Sequence, residues 1–221
     1  MNSIFDFRAK NYDRWFDKNA SAYQSELNAL KRFIHEGNNV EIGVGTGRFA
    51  EPLGIHTGID PSMPMLSIAR KRGIQAIRGV AESLPIDNNS FDAALIMTTL
   101  CFVNDPLVAL LEAKRVVRKY GSVVIGTIDL ESHVGSEYLK KVKNSPFYQG
   151  ARFYSANEII DLLASIEMVD IITCQTIFSE PELMTAPDPV HEGHGDGLFV
   201  TIRARVESPK LNVQMSKCFK E

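Results

Sequence analysis

The sequence predicts an α/β fold, doubly wound around a mainly parallel sheet. Three observations carry this. The first is the stretch Asn39-Val40-Glu41-Ile42-Gly43-Val44-Gly45-Thr46-Gly47-Arg48, where an apolar strand ends in an acid and gives way to glycines spaced G-x-G-x-G. Glycine turns sharply and lets a ligand approach where a Cβ would collide. A strand running into such a loop opens a mononucleotide-binding unit. The second is Asp60, at the tip of the next strand candidate, about 20 residues on, where a carboxylate accepts ribose hydroxyls. The third is the recurrence of strand candidates separated by helical patterns, which points to a parallel sheet.

The elements follow in order. The segment 1–35 is expected to be helical, with its first helix over about Ala22 to His35, where Tyr23, Leu27, Leu30 and Ile34 share one face. Strand one covers about Asn39 to Ile42. A short helix is expected from Thr46 to near Pro52, since proline disrupts a helix interior. The second strand ends at Asp60. Ser62 caps a helix running to about Arg72, with Gly73 as its stop. Ile77–Ile86 and Ser90–Met97 supply the next signals. Asp105 caps a helix opened by Pro106, with Leu107, Leu110, Leu111, Ala113 and Val117 as its apolar side. The run Glu112–Ile125 carries this helix into a fifth strand. Ser155 and Glu158 form a capping box before Ile159, Leu162, Leu163 and Ile166. Residues 168–178 and 198–206 are β-rich. Their linker, 179–197, holds three prolines and three glycines. It is too irregular for a crossover helix, so the last two strands are expected to pair antiparallel. Residues 207–221 are polar and read as a loose tail.

Composition narrows the class. At 221 residues the chain is one domain by length, placed over residues 1–206, and buries roughly 70% of its unfolded surface. A net charge of −3 without a basic run gives no nucleic-acid footprint. Charges among the first residues argue against a signal peptide, and no apolar stretch reaches about 18 residues, so no membrane span is expected. Cys101, Cys174 and Cys218 are too scattered for a disulfide framework, which suits a cytoplasmic protein with reduced thiols. No spacing suggests a metal site.

Together, the glycine loop, Asp60, Ile77–Ile86, Ser90–Met97 and Glu112–Ile125 resemble the class I methyltransferases that use S-adenosyl-L-methionine, in the broad group that includes the quinone-biosynthesis enzymes. The resemblance covers about residues 35–130 and extends more weakly to about residue 205. It implies a seven-stranded, Rossmann-like sheet with an antiparallel C-terminal pair, and S-adenosyl-L-homocysteine as product. Gly43, Gly45, Thr46 and Gly47 would meet the methionine part and the ribose. Glu41 would offset the amino group, and Asp60, followed by Pro61, would bind both ribose hydroxyls. Ala81 and Glu82 match the adenine-contacting positions, while Val80 stands where many relatives carry Asp. Thr98 is expected in the cofactor pocket. The dinucleotide fingerprint G-x-G-x-x-G is not met, because Arg48 holds its third-glycine position.

Methyl transfer is a displacement at a carbon activated by the sulfonium, so positioning supplies much of the catalysis. A general base is needed only for an acceptor protonated at working pH. His133, His191 and His194 are the candidates, each with solvated loop histidine as the alternative. Tyr12 and Trp15 in the N-terminal segment, and Tyr148 and Arg152 in the segment 129–154, are the candidate acceptor contacts, with core packing as the alternative. The segment after strand four, Met97-Thr98-Thr99-Leu100-Cys101-Phe102-Val103, lacks the motifs of amino-group and cytosine C5 nucleic-acid methyltransferases. The glutamate-paired loop of arginine methyltransferases is also absent. A small-molecule acceptor is therefore expected. The rival readings are a nucleotide-binding module of the same fold without methyl transfer, and a dinucleotide oxidoreductase.

Overall fold

The computed structural model describes residues 4–142 and 145–207. The chain opens with α1 (Ile4–Lys18) and α2 (Ala20–Leu30), then runs β1 (Asn39–Ile42), β2 (Thr57–Asp60), α3 (Met63–Lys71), β3 (Gln75–Arg78) and β4 (Phe91–Met97). There follow α4 (Pro106–Val116), β5 (Val117–Ile128), α5 (His133–Val142), α6 (Ala156–Ser165), β6 (Met168–Thr176), β7 (His191–Glu192) and β8 (Phe199–Val206). The strands form one sheet in the order β3-β2-β1-β4-β5-β8-β6-β7. Strands β1 to β5 pair parallel to their neighbours. Strand β8 lies antiparallel between β5 and β6.

Alternation along β4 builds a core on both faces. Ala94 and Ile96 pack with Leu110 of α4 and with Ile159 and Leu163 of α6. Ala93, Leu95 and Met97 face the other way, toward Leu27 and Leu30 of α2 and Leu66 and Ala69 of α3. Successive side chains of a strand point to opposite sides, so one short apolar run serves two layers of helices.

Local chemistry sets the helix starts as expected. The Oγ of Ser62 accepts the Met65 amide at 3.4 Å. Asp105 Oδ1 accepts the amides of Leu107 and Val108 at 3.0 and 3.1 Å. Ser155 and Glu158 make the reciprocal capping box. Three expectations are corrected. The sheet has eight strands, because His191–Glu192 adds a two-residue edge strand on β6; two residues are too short to show a period. The helix expected first, over Ala22 to His35, is instead the second: it ends at Leu30, and a separate helix, α1, precedes it. No helix follows the glycine loop: residues 45–54 form successive turns. Gly47 sits at φ +81°, outside the right-handed helical region. Pro52 has no amide to give to the Arg48 carbonyl, which accepts the Tyr23 hydroxyl instead. Most of the expected tail, residues 208–221 with Cys218, lies outside the described residues.

The N-terminal helix is held over this loop by charge. Asp13 of α1 accepts Arg48 Nε at 2.9 Å and Arg72 Nη2 at 3.0 Å. Arg48 also pairs with Asp17, and Arg72 with Glu51. Arg72 Nη1 reaches the Thr46 carbonyl at 2.6 Å. Burial opposes ionisation of Asp13, but the hydrogen bonds from Arg48 and Arg72 overcome it and lower the carboxyl from 3.8 to about 2.

Two outcomes follow. Asp13→Asn should cost roughly 1–3 kcal/mol at neutral pH, since it breaks shielded hydrogen bonds to charged groups. Because the folded pKa is depressed, Asp13 contributes its full stability above the ordinary 3.8 and loses it as pH falls toward about 2. Melting of the two proteins should therefore converge over that window. The second concerns Gly43, at φ +78°, where a methyl group would lie 2.5 Å from Cγ2 and 2.8 Å from Cβ of Thr99. Gly43→Ala should destabilise by about 2–4 kcal/mol, from backbone strain plus overpacking. Gly54→Ala, also at positive φ but with nothing within 4 Å, should cost only about 1–2 kcal/mol. Equal losses in denaturant titrations would refute the Thr99 clash.

Candidate functional site

The strand order reverses between β1 and β4, and ligands of open α/β sheets bind at the carboxyl ends beside such a reversal. Register brings three chain segments level there. Ile42 lies opposite both Ile59 and Ile96, so the glycine loop, Asp60 and Thr98 all leave the sheet at one edge. The amides of Gly43 and Val44 both donate to the Ile59 carbonyl, at 2.7 and 3.0 Å. The Gly45 amide donates to Asp60 Oδ2 at 2.9 Å, and the Ser62 amide to Asp60 Oδ1 at 2.8 Å. Oδ2 thus spends one lone pair on the glycine loop and Oδ1 one on the α3 N-cap residue Ser62, and each oxygen keeps another. Burial raises the Asp60 carboxyl above its ordinary value, against the lowering effect of those amides. Thr98 sits at φ +42°, a strained conformation for a β-branched residue.

A cavity of about 310 Å³ opens over this edge. Gly43, Gly45, Asp60, Pro61 and Thr98 line its floor. A methyl group on Gly45 would lie 3.7 Å from the Tyr12 ring. The roof is aromatic. Phe5 and Tyr12 of α1 meet edge to face at 5.8 Å, and Phe5 meets Phe102 at 5.1 Å. Phe147 lies 6.1 Å from Tyr12, and Tyr148 stacks on Phe102 at 6.2 Å. Tyr12, Trp15 and Tyr148 line the cavity. Burial foremost, and then the charge of Glu41, raises the Tyr12 phenol.

The other candidates fall elsewhere. Glu41 is buried beneath the glycine loop; burial raises its carboxyl well above the ordinary value, and a hydrogen bond from the Ala50 backbone N–H opposes this. Its Oε2 is buried without a hydrogen-bond partner, but the side chain does not line the cavity. Thr46 and Gly47 also lie in the loop outside the lining. Ala81 is buried, and Glu82 Oε1 accepts the Asn104 amide at 2.7 Å; neither lines the cavity. Arg152 is exposed, with its guanidinium 5.0 Å from the Tyr154 ring.

None of the three histidines lines the cavity. His133 is exposed at the start of α5. His191 packs against Phe178, ring centroids 4.8 Å apart, on the edge strand. His194 bridges Thr173 of β6 and Asn157 of α6 at 3.2 and 3.1 Å, on the sheet face away from α1 and α2.

Among the lining residues that the sequence reading did not name as candidates, one is charged and buried. Glu26 of α2 is 9% exposed. Its signal was present: it lies three residues after Tyr23 and beside Leu27, an acid inside the helix's apolar stripe. Phe5 and Phe102 join the wall through tertiary contact and carry no local signature, while Phe147 comes from the aromatic segment 129–154.

Comparison with known proteins places this geometry. Residues 40–125 match the family model of a methyltransferase domain. An uncharacterized protein of Methanocaldococcus jannaschii is 45% identical over 202 residues, covering 91% of this chain and 98% of that protein. A demethylmenaquinone methyltransferase of Renibacterium salmoninarum is 37% identical over 92 residues, covering 39% of each. The crystal structure of an S-adenosylmethionine-dependent methyltransferase from Thermotoga maritima, described as a possible histamine N-methyltransferase, superposes with a TM-score of 0.89. That protein is 46% identical, with 92% of this chain and 99% of its own covered. The glycine loop, the carboxylate at the tip of β2 and the β5-β8-β6 ending thus have a common explanation: the chain belongs to the S-adenosylmethionine-dependent methyltransferase family.

Proposed function

We propose that this enzyme transfers the methyl group of S-adenosylmethionine to a small molecule held under the aromatic roof. The observation that carries the reading is one cavity joining the glycine loop and Asp60 to the rings of Tyr12, Phe147 and Tyr148. Its volume of about 310 Å³ is in the range of small-molecule sites.

The residues present fit the cofactor. A side chain at Gly43 would collide with Thr99, so the backbone itself forms that part of the floor. Asp60 keeps a free lone pair on each oxygen for the ribose hydroxyls. Glu41 keeps one unpartnered oxygen below the loop for the amino group, met directly or through water. Ala81 and Glu82 are the proposed adenine contacts, with Thr46, Gly47, Pro61 and Thr98 completing the set. When bound, the cofactor supplies an electrophilic methyl group on its sulfonium. The chain's part is to align the acceptor and exclude water, and aromatic walls suit both tasks. Tyr12, Trp15 and Tyr148 are the proposed acceptor contacts. The base role moves away from the histidines, because a general base must come within hydrogen-bond reach of the proton it takes. Arg152 would act only by bracing the roof through its backbone N–H, which donates to the Cys101 carbonyl at 2.9 Å.

Asp60→Asn should weaken S-adenosylhomocysteine binding by about 1.5–3 kcal/mol, the worth of hydrogen bonds to a charged acceptor. Calorimetry on the folded variant checks this, and an unchanged affinity removes the ribose role. The roof should also move. Helix α1 is kinked at Arg8, with φ −126° and ψ 25°, so the part before the Asp13 anchor can swing. Amide exchange over residues 4–12 and 145–154 should slow on adding S-adenosylhomocysteine. Tyr12→Ala and Tyr148→Ala should lower turnover far more than melting temperature. Exchange already slow without ligand and unaltered by it would mark both segments as plain packing.

A further inference from the structure

The cavity is electrically one-sided. Its lining holds three carboxylates, Glu26, Asp60 and Glu182, and among the described residues no lysine, arginine or histidine. Asp60 is bound to the glycine loop, and Glu182 is exposed. Glu26 is neither. Its Oε2 is buried without a hydrogen-bond partner among the described residues. Burial raises its carboxyl from 4.5 to about 8. The titratable groups that sense its charge are Tyr12 of α1, Tyr23 of its own helix, Tyr138 of α5 and Tyr148 of the turn at 146–148. Glu41 and Asp60 act on Tyr12 as well. All are phenols or acids, so among the described residues no cation answers Glu26 within the cavity. A buried acid without a partner destabilises a fold. Such a group, aimed into a ligand cavity, marks a site whose partner comes from outside.

We infer that Glu26 is the acceptor-recognition group, and that the methyl acceptor is a small amine, cationic in solution, whose N–H end meets Glu26 while its body lies among the rings of Tyr12, Phe147 and Tyr148. This rests on the methyl-transfer reading above. The chemistry is consistent at each step. An ammonium supplies the charge and the donors that Glu26 lacks. Aromatic faces add cation–π attraction. One N–H bond then breaks and one O–H bond forms on Glu26. The nitrogen is left neutral, with the lone pair a nucleophile requires, and the proton later passes to solvent.

The test uses calorimetry on the full-length protein saturated with S-adenosylhomocysteine. Phenethylamine and tryptamine are titrated against their uncharged counterparts, 2-phenylethanol and tryptophol. At least one amine should bind about tenfold or more tighter than its alcohol, as expected for a charge-assisted pair. Glu26→Gln should bring that amine to the level of its alcohol. The variant should keep its affinity for S-adenosylhomocysteine within about twofold and melt at or above the wild-type temperature, since it replaces an unpartnered acid by a neutral amide. Amines binding no better than alcohols to the wild type, or an amine preference kept by Glu26→Gln, would overturn the inference. A lower melting temperature in the variant would make Glu26 structural, and a lost affinity for S-adenosylhomocysteine would assign it to the cofactor. If S-adenosylhomocysteine fails to bind the wild type, the methyl-transfer reading falls instead. The amine titrations of the protein alone then still decide the role of Glu26.

Discussion

The site exists because Asp13 is held between Arg48 and Arg72. These residues come from α1, from the glycine loop and from the end of α3, three pieces of chain that share no local hydrogen-bond ladder. Their side chains are only 17–18% exposed, so the pairing is less screened than a surface ion pair. It matters more here because no helix follows the loop. The turns after Gly47 carry their own backbone bonds, such as Glu51 to the Gly47 carbonyl and Leu53 to the Phe49 carbonyl, but the loop is fixed to its neighbours by side chains from outside. Arg48 ties it to α1, the Tyr23 hydroxyl holds the Arg48 carbonyl, and Asp60 holds the Gly45 amide. The same charges that order the floor of the cavity put Tyr12 and Phe16 over it.

Costs to the fold collect around this cavity. Thr98 is strained at positive φ, and Glu26 and Glu41 each bury an unpartnered oxygen. Such groups persist only where the surrounding structure over-determines them. Here the determination comes from the sheet: β4 is buried on both faces from Ala93 to Met97, and over that stretch β5 holds it in continuous register, as β1 does from Ala93 to Ile96. Stability is made in the two apolar layers and spent at the carboxyl ends of the strands. The resulting cavity is largely aromatic in its walls, and its ionisable side chains other than tyrosine are all acidic among the described residues, which suits cationic ligands. A cofactor carrying a sulfonium meets that condition, and so does an amine acceptor.

Much of the fold was legible because its signals are short-range. Ser62, Asp105 and Ser155 mark helix starts by satisfying amides two or three residues away, and the structure shows each bond. The strand ends at Ile42 and Asp60 were marked by glycine and by acid–proline. The misreadings have equally physical causes. The turns at 45–54 were read as a helix because proline was weighed as a stop and the left-handed Gly47 was not. The edge strand His191–Glu192 has no period to read. The histidines of that loop looked chemical by type, but β6 and α6 draw His194 to the far face of the sheet.

The sequence by itself determined the alternation of strands and helices, the glycine loop and the carboxylate that follows it, and with them the family. Each rests on spacing along the chain, where the physical cause lies within a few residues or one βαβ unit. Only the tertiary structure decided what stands opposite that loop. Phe5 and Phe102 are brought to Tyr12 and Phe147 across long chain separations by the packing of α1 over the sheet. Long-range contacts of this kind leave no pattern in a single sequence, because their cause is the packing of elements and not the order of residues within any one of them.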